Sequence, residues 1–192
     1  MSSVVLTGDT SGSGTITVPA VAGTFTATIG SATGTHYPFT AGTAVASTSG
    51  TSIDFTSIPS WVKRITVMFN GTSTSGTSSW QIQLGDSGGV ETTSYISTII
   101  SVAASSAGTS FTAGFGIVPP AAANTYSGQA IISLQDSSTN TWTYTSAVTN
   151  GATTLNVGGG AKSLSATLDR IRITTVNGTD TFDAGSINIM YE

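Results

Sequence analysis

The sequence predicts an all-β protein: a single antiparallel β-sandwich or jelly roll behind an extended N-terminal arm. Two observations predict it. Apolar residues recur at every second position in run after run, and no useful stretch repeats them at the 3.6-residue spacing of a helix. The intervening segments are rich in Gly, Ser, Thr and Asn, about a third of the chain being Ser or Thr, with 23 glycines. Thr is β-branched and suits the solvated face of a strand. A hydrophobic fraction of 38% suffices for a thin sandwich core.

Residues 1–45 are read as the arm. "SVVLT", "TITV" and "TFTATI" are β-prone but too short to own a core, and they are spaced by Gly, Ser and Pro. Residues 46–192 are read as the body. In "IPSWVKRITVMFNG", Trp61, Ile65, Val67 and Phe69 share one face, while Arg64, Thr66 and Asn70 share the other. Lys63 falls on the apolar face near the start, which places it at a sheet edge. "SWQIQLG" sets Trp80, Ile82 and Leu84 inward and Gln81 and Gln83 outward. "SYISTIISVA" and "FTAGFGIV" read as strands, the second stopped by Pro119-Pro120. "YSGQAIISLQ" aligns Tyr126, Ala130, Ile132 and Leu134; "TWTYTSAV" aligns Trp142, Tyr144 and Val148. In "LSATLDRIRITTV" the inward parity switches between Leu164, Ala166, Leu168 and the pair Ile171, Ile173, which predicts a bulge near Asp169-Arg170. Asn177-Gly178 is a strong hairpin signal. "SINIMYE" closes the chain with Ile187, Ile189 and Tyr191 on one face. The total is roughly eight strands at sandwich spacing.

Charge and cysteine content exclude several function classes. The net charge is −4 with five basic residues, so a nucleic-acid binder, which neutralises phosphates with many cations, is not expected. There is no apolar run of membrane-spanning length, and "MSSVVLTGDTSG" does not read as a secretory signal. Without cysteine there is no disulfide framework and no thiolate metal site. The sequons at Asn70 and Asn177 read as turns.

The most conspicuous motif is "GDSGG" around Ser87, the run that surrounds the nucleophile of chymotrypsin-like proteases. A serine hydroxyl needs a base. The one histidine, His36, precedes Asp54 and Ser87 in the order of that family, but it has no Ala-His-Cys context. The interval to Ser87 is also too short to hold a whole barrel. The motif is therefore read as a tight turn, with Gly85, Gly88 and Gly89 supplying conformational freedom. Asp180 and Asp183 beside Asn177 offer oxygen ligands for Ca²⁺ but lack EF-hand spacing, and read as turn formers. Trp61, Trp80 and Trp142 read as core aromatics rather than sugar platforms. Arg170 and Arg172, near Asp169, face outward, where they form ion pairs across an interface or a solvated face. No catalytic, cofactor-binding or metal-binding residue is expected, and no cofactor.

Several blocks carry a resemblance: "SSVVLTGDTSG", "GTITVPAVAGT", "GTSIDFTSIPSWVKRITVMFNG", "IQLGDSGGVET", "DSSTNTW" and "SLSATLDRIRITTVNGTDTFDAGSINIMYE". They resemble modules of tailed-bacteriophage virion proteins, the later blocks looking like a distal β-sandwich of tail fibres, tailspikes and capsid-decorating proteins. The resemblance covers nearly the whole chain and implies no catalytic residue. It implies a structural protein on the outer virion surface, assembled in the host cytoplasm. One expectation is a trimeric cement or decoration protein that touches the major capsid protein through its arm, with the strand Ile187 to Tyr191 near the shared axis or a sheet edge. The other is a tail-fibre or tailspike tip that binds a host glycan or receptor.

Overall fold

Antiparallel pairing organises every strand among the described residues. The computed structural model describes residues 25–29, 32–36, 39–102, 108–119, 124–151 and 154–192. Contacts divide the chain into two units, Met1–Tyr37 and Pro38–Glu192. In the first, β1 (Phe25–Ile29) and β2 (Ala32–His36) form a hairpin with Phe25 opposite His36. "TFTATI" is thus a strand as expected, while "SVVLT" and "TITV" lie outside the described residues.

In the second unit the strands are β3 (Thr40–Ala41), β4 (Val45–Ala46), β5 (Ser52–Phe55), β6 (Arg64–Thr74), β7 (Trp80–Asp86), β8 (Gly89–Val90) and β9 (Ile96–Val102). There follow β10 (Gly108–Phe111), β11 (Phe115–Val118), β12 (Tyr126–Asp136), β13 (Thr141–Asn150), β14 (Thr154–Ser163), β15 (Arg170–Thr175) and β16 (Phe182–Tyr191). Nine strands make a large sheet in the order β10-β9-β14-β13-β12-β6-β16-β3, with β4 also on β16. Five make a small sheet, β11-β7-β15-β5, with β8 on β7. No helix occurs among the described residues. The fold is an all-β antiparallel sandwich. Part of the expected arm belongs to it, since β3 and β4 pair with β16. The C-terminal strand is therefore covered at the sheet edge only by the two-residue strands β3 and β4.

The core fills the space between the sheets. Ile65, Val67 and Phe69 of β6, Ala130 and Ile132 of β12, and Ile187 and Ile189 of β16 face Trp80, Ile82 and Leu84 of β7 and Ile171 and Ile173 of β15. Trp80 packs edge-on against Tyr126 and Phe182, with ring centroids 5.0 and 5.7 Å away. Phe115 stacks on Tyr144 at 4.6 Å, and the Tyr144 hydroxyl donates to the Gly116 carbonyl at 2.6 Å.

Five local expectations are corrected. "FTAGFGIV" is not one strand: Phe111 ends β10 in the large sheet, residues 112–114 cross the sandwich, and Phe115 starts β11 in the small sheet. The parity switch after Leu168 is likewise a crossing rather than a bulge, because residues 164–169 carry the chain from β14 to β15; Leu164 and Leu168 are buried there and Ala166 is exposed. Asn177-Gly178 does form a turn, with the Gly178 amide donating to the Thr175 carbonyl at 3.1 Å, but β15 and β16 lie in different sheets, so no hairpin results. Asn70 lies within β6 at a bulge rather than in a turn. There Gly71 and Gly185 have φ of 61° and 84°, and a side chain on Gly185 would strike the Gly71 backbone. Lys63 is at the end of β6 and not at a sheet edge: its amide donates to the Glu192 carbonyl on one side and its carbonyl accepts from Leu134 on the other. Gln81 and Gln83 face away from the core as read, and are 4% and 6% exposed because residues 112–114 fold over them; the Gln83 amide donates to the Ala113 carbonyl at 3.0 Å.

Candidate functional site

The "GDSGG" run is a two-residue hairpin loop. Asp86 pairs with Gly89 and Gly85 with Val90, leaving Ser87 and Gly88 at the tip. Asp86 holds the turn, Oδ1 accepting from the Gly88 amide at 2.7 Å and Oδ2 from the Ser165 hydroxyl at 2.7 Å. These bonds, the Ser165 one foremost, hold its carboxyl below the usual range. Ser87 itself is exposed. Asp54, which the protease order would make the orienting acid, is in a bidentate pair with Arg172 at 2.7 and 2.8 Å. The His36 side chain lies outside the described residues. Ser87→Ala is expected to change stability by no more than about 0.5 kcal/mol, as at ordinary surface positions. Ser87 is also expected to resist a fluorophosphonate probe; labelling that vanishes in His36→Ala would overturn this reading.

The other motif residues also have structural partners. Asp180 accepts from the Ser78 amide at 2.9 Å and from the Asn177 side chain at 2.7 Å, tying the turn to the start of β7. Asp183 accepts from the Ser73 hydroxyl. The two carboxylates thus serve different strands. Trp80 and Trp142 are 1% and 3% exposed, and Trp61 packs on Tyr191 at 5.8 Å. Arg170 pairs with Asp169 at 2.7 Å and Arg172 with Asp54, both within the chain.

Two surface features remain. The first is the outer face of β9, β14, β13 and β12. Cross-strand rows run Ile100–Val157–Ala147–Gln129 and Val102–Leu155–Thr149–Ser127. No charged residue points outward from these rows. Ile96, Val102 and Leu155 are 77%, 55% and 43% exposed. Isolated exposed apolar residues are ordinary; these rows group several of them with no charge between. Sequence reasoning missed it because "SYISTIISVA" was read only as a strand, with no face assigned; Ile96 and Ile100 at the opposite parity from Ile99 were the available signal.

The second is a polar trough on the outer face of the small sheet, about 270 Å³ in volume. Ser52, Thr174 and Gln81 form one cross-strand row along it; Arg172 and Gln83 stand in the next. Comparisons with protein-family models, curated proteins and solved structures gave no match to this chain.

Proposed function

We propose that this chain is a structural subunit of a tailed-phage virion, a decoration or cement protein that forms a homotrimer on the outer capsid and reinforces the shell. The observation that carries the reading is the outer face of β9, β14, β13 and β12, whose rows through Ile100 and Leu155 carry no charge. Apolar area removed from water returns roughly 25 cal/mol per Å², and a face without charges meets a partner without stranding an ion. Such a face suits a second copy of the chain, joined in a closed ring. The threefold count and the capsid location come from the resemblance of the sequence to virion modules.

Light scattering tests the assembly. The native chain is expected to be a trimer at micromolar concentration, and Ile100→Lys with Leu155→Lys to yield a folded monomer with an unchanged far-ultraviolet spectrum. A native monomer, or a double variant that stays trimeric, would overturn the role of this face. Copy number in purified particles tests the location: hundreds of copies fit capsid decoration, a few to a few dozen fit a tail appendage.

The polar trough favours a second reading, a tail-fibre or tailspike tip that binds a host glycan or receptor. Its hydroxyls, amides and the Arg172 guanidinium are groups that bind sugar hydroxyls.

A further inference from the structure

The chain holds three Asn-Gly pairs, Asn70-Gly71, Asn150-Gly151 and Asn177-Gly178. In such a pair the glycine amide nitrogen can attack the side-chain carbonyl of the asparagine, because a residue without Cβ leaves the approach open. The attack closes a succinimide ring, so the backbone must be able to turn at the asparagine. Two of the pairs are held in ladders. Asn70 is paired with Ser186 inside β6, and Asn150 with both Tyr126 and Thr154 at the end of β13. Asn177 is different. It lies exposed in the turn between β15 and β16, outside any strand, with Gly178 at a φ of 67°.

The Asn177 carboxamide sits between groups of opposite polarity. Its Oδ1 accepts from the Thr175 hydroxyl at 2.9 Å, the Thr179 amide at 3.1 Å and the Asp180 amide at 3.2 Å. Its Nδ2 donates to the Asp180 carboxylate at 2.7 Å. The Asn177 bond first, and the Ser78 amide second, hold that carboxyl below its ordinary range, so it is ionised at neutral pH. These bonds build the turn. They also match the charges of a tetrahedral adduct at the side-chain carbon, negative on Oδ1 and positive on the departing nitrogen. Donors already aimed at a developing oxyanion cost no reorganisation when it forms. A carboxylate facing a cationic N–H makes a stronger bond than one facing a neutral amide. Both sets of contacts thus tighten in the adduct, which is the condition for acceleration.

We infer that Asn177-Gly178 is a self-modifying site, at which the fold promotes conversion of Asn177 to aspartate and isoaspartate. The Gly178 amide first gives up its bond to the Thr175 carbonyl. Its nitrogen bonds to the Asn177 side-chain carbon and passes its proton to solvent water. The bond from that carbon to Nδ2 breaks, and Nδ2 takes up a proton and leaves as ammonia. Water then opens the succinimide at either carbonyl, giving an aspartyl or an isoaspartyl residue. One water is consumed and one ammonia released, with no change of oxidation state. The product carries a carboxylate where Nδ2 had donated to Asp180, so two like charges face each other. Asp180 and the Asn177 amide are also the ties from this turn to Ser78, and the repulsion loosens them. Asn177 and Gly178 line the polar trough, so the reaction adds a negative charge to its rim as the protein ages.

Peptide mass mapping of the full chain, incubated at pH 7 with and without urea and digested at mildly acidic pH, tests the inference. In the folded chain Asn177 is expected to convert at least about tenfold faster than Asn70 and Asn150, a modest share of what aligned oxyanion donors supply in enzymes. In urea the three rates are expected to converge, with that of Asn177 falling. Thr175→Val keeps the side-chain shape and removes one donor to Oδ1; Asp180→Asn removes the charge at Nδ2. Each is expected to slow conversion of Asn177 in the folded chain and to leave its rate in urea unchanged. Far-ultraviolet spectra report whether each variant is folded, and the comparison of the native chain with and without urea decides the matter even if neither is. An Asn177 rate no higher in the folded chain than in urea would mean that the turn protects the residue, and overturns the inference. So does a rate that both folded variants leave untouched.

Discussion

Lys162→Met alone is expected to destabilise the sandwich by about 3–5 kcal/mol, the usual cost of removing one partner from a buried ion pair. Lys162 is 4% exposed and lies on the inward face of β14, where its Nζ is 2.5 Å from a Glu91 carboxylate oxygen and 5.3 Å from the centre of the Tyr95 ring. The other Glu91 oxygen accepts from the Ser165 amide at 2.7 Å, and the Tyr95 hydroxyl accepts from the Leu84 amide at 2.6 Å. The cluster ties the segment after β8 to β14 and to the crossing at residues 164–169. Without the ammonium the carboxylate keeps its desolvation cost and loses most of its compensation. Lys162→Met with Glu91→Leu removes both charges and is expected to be more stable than either single variant. Urea denaturation at pH 7 measures this: the midpoint should fall in each single variant with little change in slope. A loss below about 1 kcal/mol, the range of exposed pairs, would show that the cluster is not structural.

The same cluster sets an acid limit. Burial by itself raises the Glu91 carboxyl's pKa, but the bonds from Lys162 and Ser165 outweigh it and hold the group below its ordinary 4.5. A folded-state pKa below the unfolded one contributes stability that is complete above the unfolded value and lost as pH falls through the folded one. Native stability is therefore expected to fall as pH drops below 4.5, and Glu91→Gln to lessen that fall while lowering stability at neutral pH.

What was legible in the sequence followed from period-two alternation. Ile65, Val67 and Phe69, Trp142, Tyr144 and Val148, and Ile187 and Ile189 are inward as their spacing requires. Parity marks a face but carries no label for the sheet. Both crossings, at residues 112–114 and 164–169, were therefore mistaken for continuous strand or bulge, and Asn177-Gly178 for a hairpin. The two-residue strands β3, β4 and β8 are too short to alternate at all, so the strand count came out near eight. Gln81 and Gln83 point outward as read, but alternation cannot foresee a loop laid over a sheet's outer face, which buries them. Lys162 escaped notice for a different reason. In "NVGGGAK" the glycines erase the pattern that would have put a lysine inward, and its partner Glu91 is remote in sequence. Lys63, by contrast, was marked from the start as a cation at an apolar parity position, and its side chain is exposed where β6 begins.

Gly160→Ala is the second substitution expected to have a large effect, and its neighbour provides the control. β14 lies between β13 and β9, with Gly160 opposite Ser97. A Cβ on Gly160 would stand 2.3 Å from the Ile96 carbonyl oxygen and 3.0 Å from the Ser97 Cα, both backbone atoms of β9. No rotamer relieves a clash with backbone, so β9 must move. Forced overpacking of this kind costs typically about 1–3 kcal/mol, and here the strain falls on a strand that in turn holds the edge strand β10. Displacing β9 also displaces Ile96 and Ile100, so the variant is expected to lose the proposed association face along with local stability. Gly159→Ala places its methyl on the opposite face, where the nearest atom is the Tyr144 carbonyl oxygen at 3.7 Å. That substitution is expected to be neutral, or stabilising by up to about 1 kcal/mol through the lower entropy of the unfolded chain. Hydrogen exchange separates the two. In Gly160→Ala the amides of β9 and β10 should exchange much faster than native while those of β6 and β16 stay protected, and in Gly159→Ala all four strands should match the native pattern. Native-like protection of β9 and β10 in Gly160→Ala would mean that the β9–β14 approach is not tight enough to demand glycine.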